Sequence, residues 1–182
     1  MAVPLRILLA SFIAAATAFV GVASPAAAAS GWTSLSSGGF HTCGIRGGRI
    51  YCWGRDNFGQ LGDGTAGESR AVPALIASGA TDWTSVSAGG FHTCATRVGR
   101  VACWGSDGNG ALGDGTAGAT PDPSPGLIAS GATDWKRVDT GFLHTCAIRA
   151  TLLACWGSDA DGQLGDGTAS GAPDPVPNLE VS

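Results

Sequence analysis

The sequence predicts an all-β fold, and three observations support this class. A phrase containing His-Thr-Cys and then Cys-Trp-Gly recurs three times, with a period of about fifty residues. Each copy contains short apolar runs of strand length, separated by Gly, Pro and Asp residues that favour turns. The central strands carry apolar side chains on both faces, so each sheet needs cover on both sides. Together these features predict a β-propeller-type array of three four-stranded antiparallel blades, which forms an open or incomplete ring as a single chain.

The first 29 residues are predicted to be a secretory signal peptide. Arg6 precedes an apolar run from Ile7 to Ala23, and Ala27-Ala28-Ala29 fits the small-x-small cleavage rule. A retained membrane anchor is the alternative. We therefore divide the chain into a signal peptide, 1–29, and a repeat region, 30–182. We expect a secreted or extracytoplasmic protein with no membrane contact after cleavage.

The composition narrows the class of partner. The 182 residues carry a formal net charge of −4 and no basic run, which makes nucleic acid and anionic membranes poor partners. All six cysteines lie after the predicted cleavage site, and an even number in an exported chain predicts disulfides. We therefore expect no nucleic-acid partner and no free thiol.

Each copy begins with a strand that opens on tryptophan. These first strands are predicted over residues 32–37, 83–88 and 135–140. A hairpin follows, in which Cys43 and Cys52 lie symmetrically about a Gly47-Gly48 turn. Counting outward from a two-residue turn places the two cysteines directly opposite each other. They fall on a non-hydrogen-bonded pair, where the Cβ atoms are close enough for a disulfide.

The second and third copies keep this hairpin register. The same symmetry pairs Cys94 with Cys103, and Cys146 with Cys155. The third turn is Ala150-Thr151, and threonine disfavours a positive φ. We therefore expect this turn to be loose or strained.

A turn-rich loop and a fourth strand complete each copy. The loops cover residues 55–65, 106–116 and 158–168, and each ends in Leu-Gly-Asp-Gly-Thr. A proline-marked segment then leads to a short apolar strand, predicted over residues 74–77, 126–129 and 178–181. The three blades are thus predicted at about 32–78, 83–130 and 135–181.

The repeated phrases resemble those of a known family. Gly-Gly-Phe-His-Thr-Cys, Tyr-Cys-Trp-Gly and Gly-Gln-Leu-Gly-Asp-Gly-Thr are similar to the repeat of the regulator-of-chromosome-condensation family, in the cysteine-bearing version of exported bacterial proteins. The resemblance covers residues 32–181 and implies a β-propeller, usually of seven four-stranded blades, whereas this chain has three. Kelch repeats share the period but not the phrases. The family name also implies nucleotide exchange on a small GTPase and chromatin binding, which we do not expect of an acidic, exported chain.

The cysteine pairs are predicted to be structural. Each closes a loop of about ten residues, which stabilises the fold by about 2–3 kcal/mol in the chain-entropy model. A metal site or a redox pair is the alternative. However, the spacing within each pair matches neither the Cys-x-x-Cys of zinc ribbons nor that of thiol oxidoreductases.

Histidines and tryptophans occur at fixed places in every copy, which favours repeated structural roles. An exception would be three equivalent histidines that converge on a zinc ion. Exposed tryptophans that stack on sugars are a second alternative. The residues predicted to be structural are His41, His92, His144, Trp53, Trp104 and Trp156.

One loop offers a calcium candidate. Asp159 and Asp161, followed by a glycine, partly resemble the start of a calcium loop, but the further ligands are missing. Asp and Asn beside Gly also form ordinary turns, which is the interpretation we favour. The sequence shows no arrangement of catalytic groups and no phosphate-cradling loop, so we expect no catalytic residue and no cofactor.

These features predict an exported, non-enzymatic protein that binds or scaffolds a protein partner through its loops, especially the proline-containing ones. The family resemblance includes an exported relative that inhibits β-lactamases. The alternatives are a carbohydrate-binding, lectin-like cell-envelope protein that uses loop aromatics such as Phe58, and an enzyme. Three blades cannot close a ring, so we also expect either a homo-oligomer that completes a propeller or a longer gene product.

Overall fold

The computed structural model describes residues 31–180, and the predicted signal peptide lies outside this range. The described chain forms three four-stranded antiparallel sheets, each with its strands in chain order. This confirms the predicted all-β class. Blade 1 comprises β1 (Trp32–Ser37), β2 (His41–Arg46), β3 (Arg49–Gly54) and β4 (Arg70–Leu75). Blade 2 comprises β5 (Trp83–Ala88), β6 (His92–Arg97), β7 (Arg100–Asp107) and β8 (Gly118–Leu127). Blade 3 comprises β9 (Trp135–Thr140), β10 (His144–Arg149), β11 (Leu152–Asp159) and β12 (Ser170–Glu180).

The central hairpin of each blade has the predicted register. In blade 1, Cys43 lies opposite Cys52 and Arg46 lies opposite Arg49 across the turn. The hairpins of blades 2 and 3 pair in the same way. Symmetry about a two-residue turn was sufficient to fix this register, because one residue of slip would exchange the two faces of the sheet.

The hairpin turns differ in backbone strain. Gly47 and Gly48 both have positive φ, as a primed turn requires. In blade 2 the first turn position is Val98, with a φ of 47°, and in blade 3 it is Ala150, with a φ of 51°. The left-handed conformation in blade 3 thus falls on Ala150 rather than on Thr151, where the strain was expected.

Replacing Val98 by glycine is expected to raise the free energy of unfolding by about 1 kcal/mol, because the side chain is exposed and the left-handed conformation disfavours a β-branched residue. The matched reverse change is Gly47→Val, since a Cβ at Gly47 would meet no atom within 4 Å. Thermal unfolding should move Tm up by about 3 °C in the first variant and down by a similar amount in the second. Shifts of the same sign in both variants would contradict this account.

The fourth strands are longer than predicted and begin earlier, so the proposed bounds 74–77, 126–129 and 178–181 are wrong. They start at Arg70, Gly118 and Ser170, and they include the proline-marked segments. Cys52 and Gly54 on β3 are two residues apart, but their partners on β4, Ala74 and Arg70, are four residues apart. The extra residues of β4 form a bulge. Proline lacks a backbone N–H and is tolerated at bulges of edge strands, so these segments join the sheet instead of preceding it.

The blades stack with unlike faces in contact. The face of blade 1 that carries His41, Cys43 and Ile45 is called its His–Cys face, and the opposite face, with Thr42 and Trp53, is its Trp face. Equivalent residues define the two faces of blades 2 and 3. The His–Cys face of blade 1 is buried against the Trp face of blade 2, and that of blade 2 against the Trp face of blade 3. The middle blade alone is therefore covered on both faces within the described chain.

The first strands β1, β5 and β9 lie next to one another in successive blades. The fourth strands form the opposite edge of each sheet. This is the radial arrangement of propeller blades. No helix within residues 31–180 has the length and apolar character needed to cross a bilayer.

Candidate functional site

The three predicted disulfides are formed, and they join the two central strands of each blade. The bonded pairs are Cys43–Cys52, Cys94–Cys103 and Cys146–Cys155, with Cα atoms 4.1 Å apart in each. No cysteine in the described range is free. Because both sulfurs of each pair are bonded to each other, they are not available as thiolate ligands for a metal.

A histidine of one blade is hydrogen-bonded to a threonine of the next. His41 Nε2 lies 2.6 Å from Thr93 Oγ1, and this hydroxyl donates to the carbonyl oxygen of Gln60 at 2.8 Å. The threonine has one proton and uses it on the carbonyl, so His41 Nε2 carries the N–H that donates to Thr93. Burial lowers the pKa of this ring far enough to keep it neutral at pH 7, so Nδ1 carries no proton, and this buried Nδ1 has no hydrogen-bond partner.

The second interface repeats this chain of bonds. His92 Nε2 lies 2.9 Å from Thr145 Oγ1, which donates to the carbonyl oxygen of Ala111 at 2.8 Å. The pairing of these histidines with these threonines was not predicted, although both residue types belong to the repeated His-Thr-Cys phrase. The signal was present in the period, because each histidine bonds the threonine that follows the next histidine in the chain.

Burial keeps these histidines neutral. It lowers the pKa of His41 to about 4. Burial lowers the pKa of His92 to about 3, and the nearby His41 and His144 reinforce this effect. At neutral pH both rings therefore act as uncharged hydrogen-bond donors between blades.

His144 lies on the His–Cys face of blade 3, which has no following blade in the described chain. Its pKa is lowered by partial burial, against the opposing effect of the Asp139 carboxylate. Within residues 31–180, no group of three or more His, Cys, Asp or Glu side chains is placed to hold a metal ion.

The tryptophans that follow the second cysteines are bound by the loop of the preceding blade. The indole N–H of Trp104 donates to the carbonyl oxygen of Gln60 at 3.0 Å, and that of Trp156 to Ala111 at 2.9 Å. A glycine in each loop packs directly on the indole ring: a Cβ at Gly62 or Gly113 would lie 2.4 Å from its nitrogen. One carbonyl oxygen in each loop therefore accepts two hydrogen bonds from the next blade, one from the threonine hydroxyl and one from the tryptophan indole N–H.

Buried aspartates organise the same loops. Asp56, Asp107 and Asp159 each accept a hydrogen bond at Oδ1 from a leucine amide five residues on, at 2.9, 3.1 and 3.0 Å. Burial raises the pKa of Asp56, and that of Asp107 to about 6. Asp161, the second calcium candidate, is exposed, and its backbone N–H donates to the Gln163 side chain. Asp159 is thus engaged in holding its own loop.

An exposed aromatic patch lies where the loops of the three blades meet. We define it by Phe40, Phe58, Phe91, Phe142 and Arg55. The ring of Phe91 is central, with centroids 5.2 Å from Phe40, 5.3 Å from Phe58 and 5.1 Å from Phe142. The guanidinium of Arg55 lies 4.4 Å from the centroid of the Phe40 ring. Phe40 and Phe142 remain 41% and 54% exposed.

Of the residues in this patch, only Phe58 was predicted from the sequence as a possible contact residue. Phe40 and Phe91 occupy the same place in two copies, so the repeat itself carried a signal for them. Phe142 gave no periodic signal, because the first two copies have Gly39 and Gly90 at its position.

Taken together, the stapled blades, the cross-blade hydrogen bonds and the radial stacking define a β-propeller repeat protein. Residues 32–60 and 47–96 match family models described as the regulator of chromosome condensation (RCC1) repeat. The mitochondrial RCC1 domain-containing protein RUG3 of Arabidopsis thaliana is 33% identical over 144 residues, covering 73% of this chain and 32% of that protein. The ultraviolet-B receptor UVR8 of Arabidopsis thaliana is 33% identical over 137 residues, covering 73% and 31%.

Solved structures agree on the fold. Prp20p from Saccharomyces cerevisiae matches with a TM-score of 0.73 and 19% identity, over 81% of this chain and 38% of that chain. Human WBSCR16 matches with a TM-score of 0.71 and 20% identity, over 82% and 38%. Two overlapping stretches of the chain, within residues 32–96, thus match the RCC1 repeat. The chain spans about a third of the length of the two Arabidopsis relatives.

Proposed function

We propose that this chain is an exported, non-enzymatic protein-binding module, and that the aromatic patch is its contact surface. The observation that carries the proposal is a contiguous group of four phenylalanines, contributed by all three blades and left accessible to solvent. Exposed apolar patches of this kind mark interaction sites in soluble proteins.

The composition of the patch favours a protein partner. Aromatic residues and arginine are enriched at the centres of protein interfaces, where they provide most of the binding energy. The guanidinium of Arg55 lies over the Phe40 ring and so adds a charged group to an apolar surface. A sugar site needs several polar groups that fix hydroxyl orientation, whereas the rings of four phenylalanines make up most of this patch.

Two further observations support binding rather than catalysis in an exported protein. The buried titratable groups His41, His92, Asp56 and Asp107 are used in hydrogen bonds that hold blades and loops together. Three disulfides in a domain of this size are typical of proteins that fold in oxidising compartments.

Known binding by proteins of the same fold is consistent with this role. One solved structure of the fold is of yeast RCC1 bound to Kap60, and another study describes the binding of Prp20p to Gsp1p and histones. Kap60, Gsp1p and histones are partners of the yeast protein and are not proposed as partners of this chain. The partner of this chain is a protein that offers an apolar surface to the aromatic patch.

Replacing Phe142 by serine is expected to weaken partner binding at least tenfold, because an exposed aromatic anchor is lost. The matched control is Leu127→Ser, since Leu127 on β8 is also 54% exposed but lies outside the patch. The wild-type protein is immobilised and used to isolate proteins from the medium and envelope of the producing cells. The isolated partner is then titrated against each variant.

Equal affinity for the Phe142→Ser variant and the wild type would exclude the patch as the contact surface. A glycan array that binds the wild type, with no protein isolated, would instead favour the carbohydrate alternative.

A further inference from the structure

Two sheet faces lack the neighbour that their counterparts have. The Trp face of blade 1 and the His–Cys face of blade 3 are uncovered in the described chain, whereas the equivalent faces of the other blades are buried. Leu35 on the first of these faces is 68% exposed, but Val86 at the same place in blade 2 is 7% exposed. Leu153 on the second is 45% exposed, but Ile50 at the same place in blade 1 is fully buried.

The uncovered face of blade 3 contains a hollow that matches the missing side chains. A cavity of about 240 Å³ opens on this face and is lined by Ile148, Leu153 and Asp139 among others. In the intact interface between blades 1 and 2, Ile45 and Ile50 contact a cluster that includes Trp83 and Val86. The residues of blade 1 at the places of Trp83 and Val86 are Trp32 and Leu35, and both are exposed.

The polar groups of the two faces are complementary in the same way. Within residues 31–180, the Thr42 hydroxyl and the Trp53 indole N–H make no hydrogen bond, although their equivalents in blades 2 and 3 do. On blade 3, the counterpart of the Gln60 and Ala111 carbonyls is the carbonyl of Gln163. Blade 1 therefore offers the donors, and blade 3 the acceptor, of one further interface of the same kind.

We propose that a second copy of this chain docks head to tail, with the Trp face of its blade 1 on the His–Cys face of blade 3 of the first copy. His144 Nε2–H then donates to the Thr42 hydroxyl of the second copy. That hydroxyl and the Trp53 indole both donate to the Gln163 carbonyl. Leu35 of the second copy enters the cavity beside Leu153.

A fourth contact follows from the inner strands. The backbone N–H of Ala88 donates to the Ser36 hydroxyl at 3.0 Å, and that of Thr140 to the Ser87 hydroxyl at 3.0 Å. At the new interface the N–H of Ser37 meets Asp139, which stands at the place of Ser36 and Ser87. A carboxylate is a stronger acceptor than a hydroxyl for this bond.

A second copy is the occupant because both halves of the interface are present on every chain. The interface occurs twice within one chain with the same pattern of donors and acceptors, so its two sides are already matched in hydrogen bonding. Head-to-tail contacts generate rings when the rotation closes. Two copies joined by two such contacts contain six blades, a number within the range of closed propellers. The proposal rests on the sheet faces and is independent of the aromatic patch.

The test is the solution mass of the purified secreted protein by sedimentation equilibrium. The wild type is expected to be a dimer at micromolar concentration. Leu153→Asp on blade 3 and Leu35→Asp on blade 1 should each give a monomer. Leu152→Asp should remain a dimer, because Leu152 is 44% exposed and adjacent in sequence but points to the opposite side of the strand.

Mixing the two monomeric variants tests the head-to-tail geometry. One intact interface can form between the Leu35→Asp and Leu153→Asp chains, so the mixture should contain a dimer that neither variant forms alone. A monomeric wild type, a dimeric single variant or a mixture that stays monomeric would each overturn the proposal.

A substitution at Gly165 tests the register of the proposed interface. In a single copy, a Cβ at Gly165 would meet no atom within 4 Å, whereas at the equivalent Gly62 and Gly113 it would meet a tryptophan of the next blade. The docked second copy brings Trp53 to this place. Gly165→Ala should therefore weaken dimerisation at least tenfold while the monomer stays folded by circular dichroism. An unchanged dimer would overturn the proposed register.

Discussion

Lowering the pH from 7 to 5 is expected to reduce the free energy of unfolding by about 3 kcal/mol. The cause is the pair of buried histidines that join the blades. Their pKa values in the folded state are about 4 for His41 and about 3 for His92, against an ordinary value of 6.5. The unfolded chain therefore takes up protons at pH 5 that the folded chain does not.

Whether acidification lowers or raises the free energy of unfolding depends on the direction in which each pKa is shifted in the folded state. A lowered histidine pKa gives stability that is present above pH 6.5 and is lost as the pH falls toward the folded pKa. At pH 5 each of the two histidines removes about 2 kcal/mol. The raised pKa of Asp107, about 6, acts oppositely, because the folded protein then binds the proton more tightly. Asp107 therefore adds about 1 kcal/mol to the free energy of unfolding at pH 5.

The measurement is urea unfolding at several pH values between 7 and 5. His92→Gln keeps a donor for the Thr145 hydroxyl but cannot be protonated, so it should reduce the pH-dependent loss by about 2 kcal/mol. Both changes are made in the Leu153→Asp background, so that the face carrying His144 stays uncovered. His144→Gln is then the matched control, because this histidine joins no pair of blades in a single copy. Equal pH dependence in the wild type and His92→Gln would refute the assignment.

Replacing Gly113 by alanine is expected to destabilise the protein by about 3 kcal/mol. Gly113 has a φ of 69°, where a side chain costs about 1 kcal/mol. The added Cβ would also lie 2.4 Å from the indole nitrogen of Trp156, so the loop must move. That movement breaks the two hydrogen bonds to the Ala111 carbonyl, each worth about 1 kcal/mol.

Gly165→Ala separates the two contributions. Its φ of 75° is similar, but a single copy places no atom near the new Cβ. Both changes are made in the Leu153→Asp background, so that association does not contribute to the unfolding measured. The Gly165→Ala variant should lose only about 1 kcal/mol of unfolding free energy. If both variants lose the same amount, contact with the tryptophan is not what requires glycine in these loops.

Local patterns in the sequence were sufficient for the hairpins. The pairing of Cys43 with Cys52 depends only on the two-residue turn and the alternation of a strand, both of which are read within a dozen residues. The fourth strands were placed too late because the proline-marked segments were taken to precede the strands and not to pair. The register across β3 and β4 shows that a bulge accommodates Pro73 inside the strand.

Contacts between blades were harder to predict. The bond from His41 to Thr93 joins residues far apart in the chain, and its existence depends on which face of one blade meets which face of the next. The aromatic patch depends on loop paths that bring Phe58 of one copy onto Phe91 of another. The alternation of apolar and polar residues along a strand predicts neither which faces of two blades meet nor which path a loop takes.

The repetition of one interface has a consequence for how such a gene can grow. Every junction uses the same donors and acceptors, so duplication of one whole repeat adds a blade and a junction without creating an unmatched surface. Deletion of a whole repeat is equally neutral to the remaining junctions. Whole repeats of about fifty residues are therefore the units in which the number of blades can change while every internal junction stays matched.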